Sequence, residues 1–149
     1  MALICLNSFD IIHSGDHPMA ESNGHREWFK QAWYDYETAK AMFQSGRYIY
    51  SVFMCHMALE KALKGYLLKS YKKVPPKTHD LLYLLTLAKL TLNKDALSFI
   101  QILNDVHIRT RYPDNLDTLL QEYTPEITQN ILIKSEEILT WIEKKSNEL

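Results

Sequence analysis

Residues 46–68 read GRYIYSVFMCHMALEKALKGYLL. Ile49, Val52, Phe53, Met57, Leu59, Ala62, Leu63, Tyr66 and Leu67 recur at three- and four-residue steps, which is a helical period. The apolar positions spread around much of the circumference, as expected of a helix covered on most sides. This stretch is therefore read as the central helix of an all-α protein. Within it, His56, Glu60 and Lys64 stand four apart and share one face.

The flanking sequence has the same character. Upstream, Trp28, Phe29, Ala32, Trp33, Tyr36, Ala39, Met42 and Phe43 form a second helical stripe, and Gly46 supplies a stop after Gln44-Ser45. Downstream, Pro75-Pro76 separates the central segment from HDLLYLLTLAKL, for which Thr78 is a candidate N-cap with His79 in the first turn. Asn93 or Asp95 opens a further segment with Leu97, Ile100, Leu103 and Val106 on one face. Thr124-Pro125-Glu126 combines a cap, a first-turn proline and an acidic residue at the positive end of the dipole. It starts a last helix carrying Ile127, Ile131, Ile138, Trp141 and Ile142. No segment alternates polar and apolar for long, and no Asn-Gly hairpin signal lies between apolar runs. The expected fold is an up-and-down antiparallel bundle of about five helices over residues 25–149. Residues 1–24, rich in turn signals, are expected to form a loosely ordered arm. The segment 110–123 is the longest expected loop.

At 149 residues and a net charge of −1, the chain has the size of one domain and lacks the bulk charge of a protein that coats nucleic acid. Cys5 and Cys55 have no metal-ligand spacing, and Cys55 lies in an apolar run where a buried thiol is expected. There is no glycine-rich phosphate loop, HExxH, CxxC or Gly-x-Ser-x-Gly. No cofactor or metal is expected. No apolar run reaches membrane-spanning length, and the cytoplasm is the default location.

Three groups carry polar chemistry. Glu60 and Lys64 fit either a ligand site or the common i,i+4 surface ion pair. His79 near a helix start fits an anion site or an exposed polar residue. In DVHIRTRYPDNL (105–116), His107 and Arg111 are four apart, Arg109 points elsewhere, and Pro113 ends the helix. A guanidinium there suits bidentate phosphate recognition. Equally, Arg111 suits an ion pair with Asp114, Asp117 or Glu122.

The tryptophan- and alanine-rich first helix, GRYIYSVFMCHMALEKALKGYLL, KTHDLLYLL (77–85) and RTRYPD (109–114), in that order over residues 25–143, resemble the HEPN family. The resemblance implies a helical bundle similar to the C-terminal domain of aminoglycoside nucleotidyltransferases. It also implies a homodimer and, as for many prokaryotic members, a minimal nucleotidyltransferase partner or a toxin–antitoxin pair. The positions it carries over are Glu60, Lys61, Lys64, Thr78, His79, Asp80, Arg111, Tyr112, Pro113 and Asp114. Ribonuclease members place a histidine four to six residues after an arginine. Here no histidine follows Arg109 or Arg111, and His107 precedes both. The expected activity is binding of a nucleotide or other phosphate-bearing group by Arg111, with His79 and Lys64 as helpers and Arg109, His107, Tyr112, Asp114 and Glu60 around them. Metal-independent RNA cleavage and a plain interaction module are the alternatives.

Overall fold

The computed structural model describes residues 24–111 and 115–149. Six helices lie among them: α1 (Gly24–Gln44), α2 (Tyr48–Tyr71), α3 (Leu81–Ala88), α4 (Lys94–Arg111), α5 (Leu116–Glu122) and α6 (Pro125–Asn147). The expected loop over 110–123 contains α5, which makes the count six rather than five. Asn115 caps α5 by accepting from the Thr118 N–H. The N-terminal arm, apart from Gly24, falls outside the described residues.

α2 packs against all five other helices, as its all-round apolar character requires. Its closest partner is α1. Small residues let the two backbones approach: Ala32, Ala39, Ala58 and Ala62 are fully buried. Gly65 is needed at the tightest point, because a Cβ there would lie 2.9 Å from Trp28 Cβ and 3.2 Å from the Phe29 ring. The chain reverses between α1 and α2 at Gly46, whose φ of 74° is a left-handed conformation that favours glycine. α6 runs antiparallel to α1. The Trp33 indole donates to Glu143 at 2.9 Å, and one turn along α1 the Tyr36 hydroxyl meets the Leu132 carbonyl and Glu136.

Several boundaries follow the sequence. Thr124 caps α6 through the Ile127 N–H with Pro125 in the first turn. Asn93 accepts from the Ala96 N–H and starts α4. Cys55 is buried and unbridged. Others differ. Thr78 does not cap α3; Asp80 does, accepting from Tyr83 N–H at 3.1 Å, while Thr78 Oγ1 accepts from the Asp80 N–H in the preceding turn. The choice is tertiary. Asn104 of α4 accepts from the Leu81 N–H and donates to the Asp80 carboxylate, so two groups from α4 lock the start of α3 two residues later than expected. His79 thus precedes the helix. Leu97 and Ile127, each in the first turn of its helix, are exposed rather than core. No described helix is long and apolar enough to cross a membrane.

Candidate functional site

The middle of α2 presents His56 and Glu60 toward the chain entering α3 and the C-terminal half of α4, and Lys64, one turn on, lies with its ammonium 5.9 Å from the Trp28 ring of α1. All three are covered. His56 is fully buried and Glu60 and Lys64 nearly so, which corrects the reading of Glu60 and Lys64 as an exposed surface pair. Lys64 Nζ donates to Glu60 Oε1 at 2.7 Å, and His79 Nδ1 donates to Glu60 Oε2 at 2.9 Å. One buried carboxylate thus holds a cation from its own helix and an imidazole from the α2–α3 connection. Burial works to raise the Glu60 pKa, but the hydrogen bonds and charges of Lys64 and His79 outweigh it and hold the carboxyl below its ordinary value.

His56 anchors the same connection from below. Its Nε2 lies 2.9 Å from the His79 carbonyl oxygen. A carbonyl only accepts, so Nε2 carries the hydrogen. Desolvation and the neighbouring His107 push the His56 pKa down to about 4, against the raising influence of Glu60. His56 is therefore neutral at pH 7, and its Nδ1, 3.9 Å from Glu60 Oε2, has no hydrogen-bond partner among the described residues.

His107 completes the cluster from α4. Its ring stacks on His56 (centroids 4.3 Å apart, planes at 16°) and on Phe53 (5.6 Å, 10°), and lies 5.0 Å from the His79 ring. Its Nδ1 is buried without a partner among the described residues. Burial first, then the positive charge of Arg111, lowers its pKa. Arg111, one turn further along α4, is exposed beyond this stack. Among the described residues it makes no ion pair.

The two arginines of the opening motif therefore differ. Arg109 pairs with Glu122 of α5, Nη1 to Oε2 at 2.7 Å, and takes the partner that the sequence also offered to Arg111. Lys61 faces away from the cluster and binds Asp35 of α1 at 2.7 Å. Tyr112, Pro113 and Asp114 lie outside the described residues. Of the sequence candidates, Glu60, Lys64, His79 and His107 meet in one cluster with Arg111 at its edge; Arg109 does not join them. His56 was visible on the Glu60 face, but nothing in its spacing marked it as the anchor of His79. Phe53 and Asn104 carried no signal beyond ordinary helix positions.

His79, with its side chain 46% exposed, is where the cluster opens to solvent. A groove of about 350 Å³ lies elsewhere, between α1, α2 and α6, lined by His25, Arg26, Lys30, Lys69 and Glu143 among others.

A helical fold of this kind is also seen in solved structures. TT1696 from Thermus thermophilus is similar over 83% of this chain and 98% of its own, at 28% identity and a TM-score of 0.71. ST0689, described as an archaeal HEPN homologue, is similar over 82% of this chain and 97% of its own, at 25% identity and a TM-score of 0.66. The HEPN domain matches residues 25–145, and the chain belongs to the HEPN family. No curated protein matches it.

Proposed function

We propose that this HEPN protein binds a nucleotide or another phosphate-bearing ligand at the edge formed by His79 and Arg111. One observation carries the reading: a buried carboxylate, Glu60, is used to aim a half-exposed imidazole, His79, beside a stacked histidine that borders an exposed arginine. Burying Glu60 and Lys64 has a desolvation cost that an apolar pair would avoid. Its result is a fixed hydrogen-bonding group at the surface, next to a guanidinium suited to phosphate oxygens. The chain works as a homodimer with a nucleotidyltransferase subunit in the cytoplasm. Part of the surface favours assembly: Ile108, Leu116 and Leu120 are exposed near the α4–α5 junction, and Tyr34 and Tyr50 are exposed on α1 and α2. Tyr71 at the end of α2 is exposed as well, whereas Tyr36 is buried in the bundle and Trp33 is held through Glu143.

Calorimetric titration with adenosine 5′-monophosphate tests the binding. Arg111→Ala is expected to weaken it by about tenfold, or 1.4 kcal/mol, while Arg109→Ala has a smaller effect because Arg109 is engaged by Glu122. Normal binding by Arg111→Ala together with early melting would make Arg111 a structural latch and sink the reading. Light scattering tests the dimer, and a monomer mass at micromolar concentration would refute it.

A further inference from the structure

Three histidines converge here, and they are not equivalent as proton carriers. His56 is fully buried, its one donated hydrogen goes to the His79 carbonyl, and its pKa is depressed to about 4. His107 is buried between His56 and Phe53, its pKa is lowered, and an Nδ1–H there has no acceptor among the described residues. Both are held neutral. His79 differs. Its Nδ1–H is already received by ionised Glu60, and its side chain is half exposed, so a proton added at Nε2 leaves an imidazolium with one edge on a carboxylate and the other facing outward. Lys64 supplies no free charge, because Glu60 and Lys64 neutralise one another at 2.7 Å. The groups acting on His107 are Arg111 on its own helix, His79 from the α2–α3 connection, and His56 and Glu60 from α2. Asp80, at the start of α3, is committed to the Tyr83 N–H and Asn104. Within this cluster of described residues, Arg111 is the cation without a carboxylate partner. A second charge within the cluster comes from a proton on His79.

We infer that the site is selective for a terminal phosphate, a dianion, over a phosphodiester, a monoanion, and that it takes up a proton on His79 Nε2 when the dianion binds. The inference rests on the phosphate-binding reading above and adds the ligand class. The reason is charge matching. Arg111 alone balances the single charge of a diester. The second charge of a monoester is balanced when Nε2 gains a proton and donates it to a phosphate oxygen, with Glu60 holding the opposite edge of the ring. An opposite charge a few ångströms away favours the protonated imidazole. The proton comes from the buffer, and no covalent bond to phosphorus is made or broken.

The experiment is calorimetric titration of the whole protein with adenosine 5′-monophosphate and with its 5′-O-methyl ester. It is run at about pH 7.5, where a monoester with a second pKa near 6 is a dianion, in two buffers of different ionisation enthalpy. The monophosphate is expected to bind on the order of tenfold tighter than the ester, the size of one added charge-assisted contact. Its heat should differ between buffers by the equivalent of roughly half a proton taken up or more, and the ester's heat should not. H79Q should remove both the uptake and the preference. Equal affinities, or a monophosphate heat independent of buffer, overturn the inference from the wild-type protein alone. So does uptake that persists in H79Q. If neither ligand binds, the phosphate-binding reading itself fails and the inference goes with it; binding without proton uptake removes only the inference.

Discussion

Two ion pairs in this bundle have the same closest approach, 2.7 Å, and different surroundings. Glu60–Lys64 is buried between Trp28 of α1 and the α2–α3 connection, with side-chain exposures of 5% and 9%. Arg109–Glu122 bridges α4 and α5 at the surface, with exposures of 45% and 41%. Distance alone makes them equal. Water makes them unequal, because it screens the second pair and is excluded from the first. The buried pair is also branched: the same carboxylate receives His79 at 2.9 Å, so removing it leaves a lysine and an imidazole without their acceptor. The surface pair touches nothing else that depends on it.

The largest effect should therefore come from Glu60→Ala. It leaves Lys64 buried without a counter-charge, which costs about 3–5 kcal/mol and, at this chain length, lowers the thermal midpoint by about 10 °C. The combined Glu60→Leu, Lys64→Met protein should recover most of that loss, since an apolar pair of similar volume is often as stable as a buried ion pair. A double variant as unstable as the single one would show that the carboxylate's bonds to the α2–α3 connection, and not charge burial, dominate.

Next in size is a dependence on pH. The His56 pKa lies near 4 in the folded protein against 6.5 as its reference value. A depressed histidine means that the unfolded chain binds the proton first. The stabilisation is complete above pH 6.5 and is lost as pH falls toward 4, by at most about 3 kcal/mol. Lowered His107 acts in the same direction, and Glu60, also lowered, extends the loss below its own ordinary value. Denaturant melts from about pH 7.5 to about pH 4.5 should show stability level down to about pH 6.5 and declining below it. His56→Gln should lower stability at the upper end of that range and flatten the slope; an unchanged slope would mean that the stack is not what acid disrupts.

The smallest effects belong to the arginines. Arg111→Ala and Arg109→Ala should each leave the thermal midpoint within measurement error, because both side chains are exposed. They should part company only in nucleotide titration. A clear drop in the midpoint of Arg109→Ala would mean that the surface pair fastens α5 more firmly than its exposure allows.

The fold is legible in the sequence because it rests on period and punctuation. The helical stripes, Gly46, Asn93 and Thr124-Pro125 are local signals, and each acts in the structure where the sequence puts it. The ordered motifs are enough to point to HEPN. What cannot be read locally is what covers a face. An i,i+4 Glu-Lys pair has the same spacing on a surface as in a core, so the burial of Glu60 depends on what the rest of the chain packs against it, His79 among it. Thr78 and Asp80 are both good caps two residues apart, and Asn104, distant in sequence, decides between them. α5 is too short, at seven residues, to display a period, although Asn115 is its available cue.

That short helix has a consequence for how the molecule breathes. Within α5 only Leu119 is buried, whereas α1 and α2 share a seam of buried alanines closed by Gly65. Amide hydrogen exchange should separate the two. The seam is released only by global unfolding, and α5 by a local opening of much lower free energy. Each such opening carries Glu122 away from Arg109, so for that interval the end of α4 presents two guanidinium groups without an ion-pair partner among the described residues instead of one. Slow exchange in α5, equal to that of the seam, would mean that the second guanidinium stays masked for as long as the protein is folded.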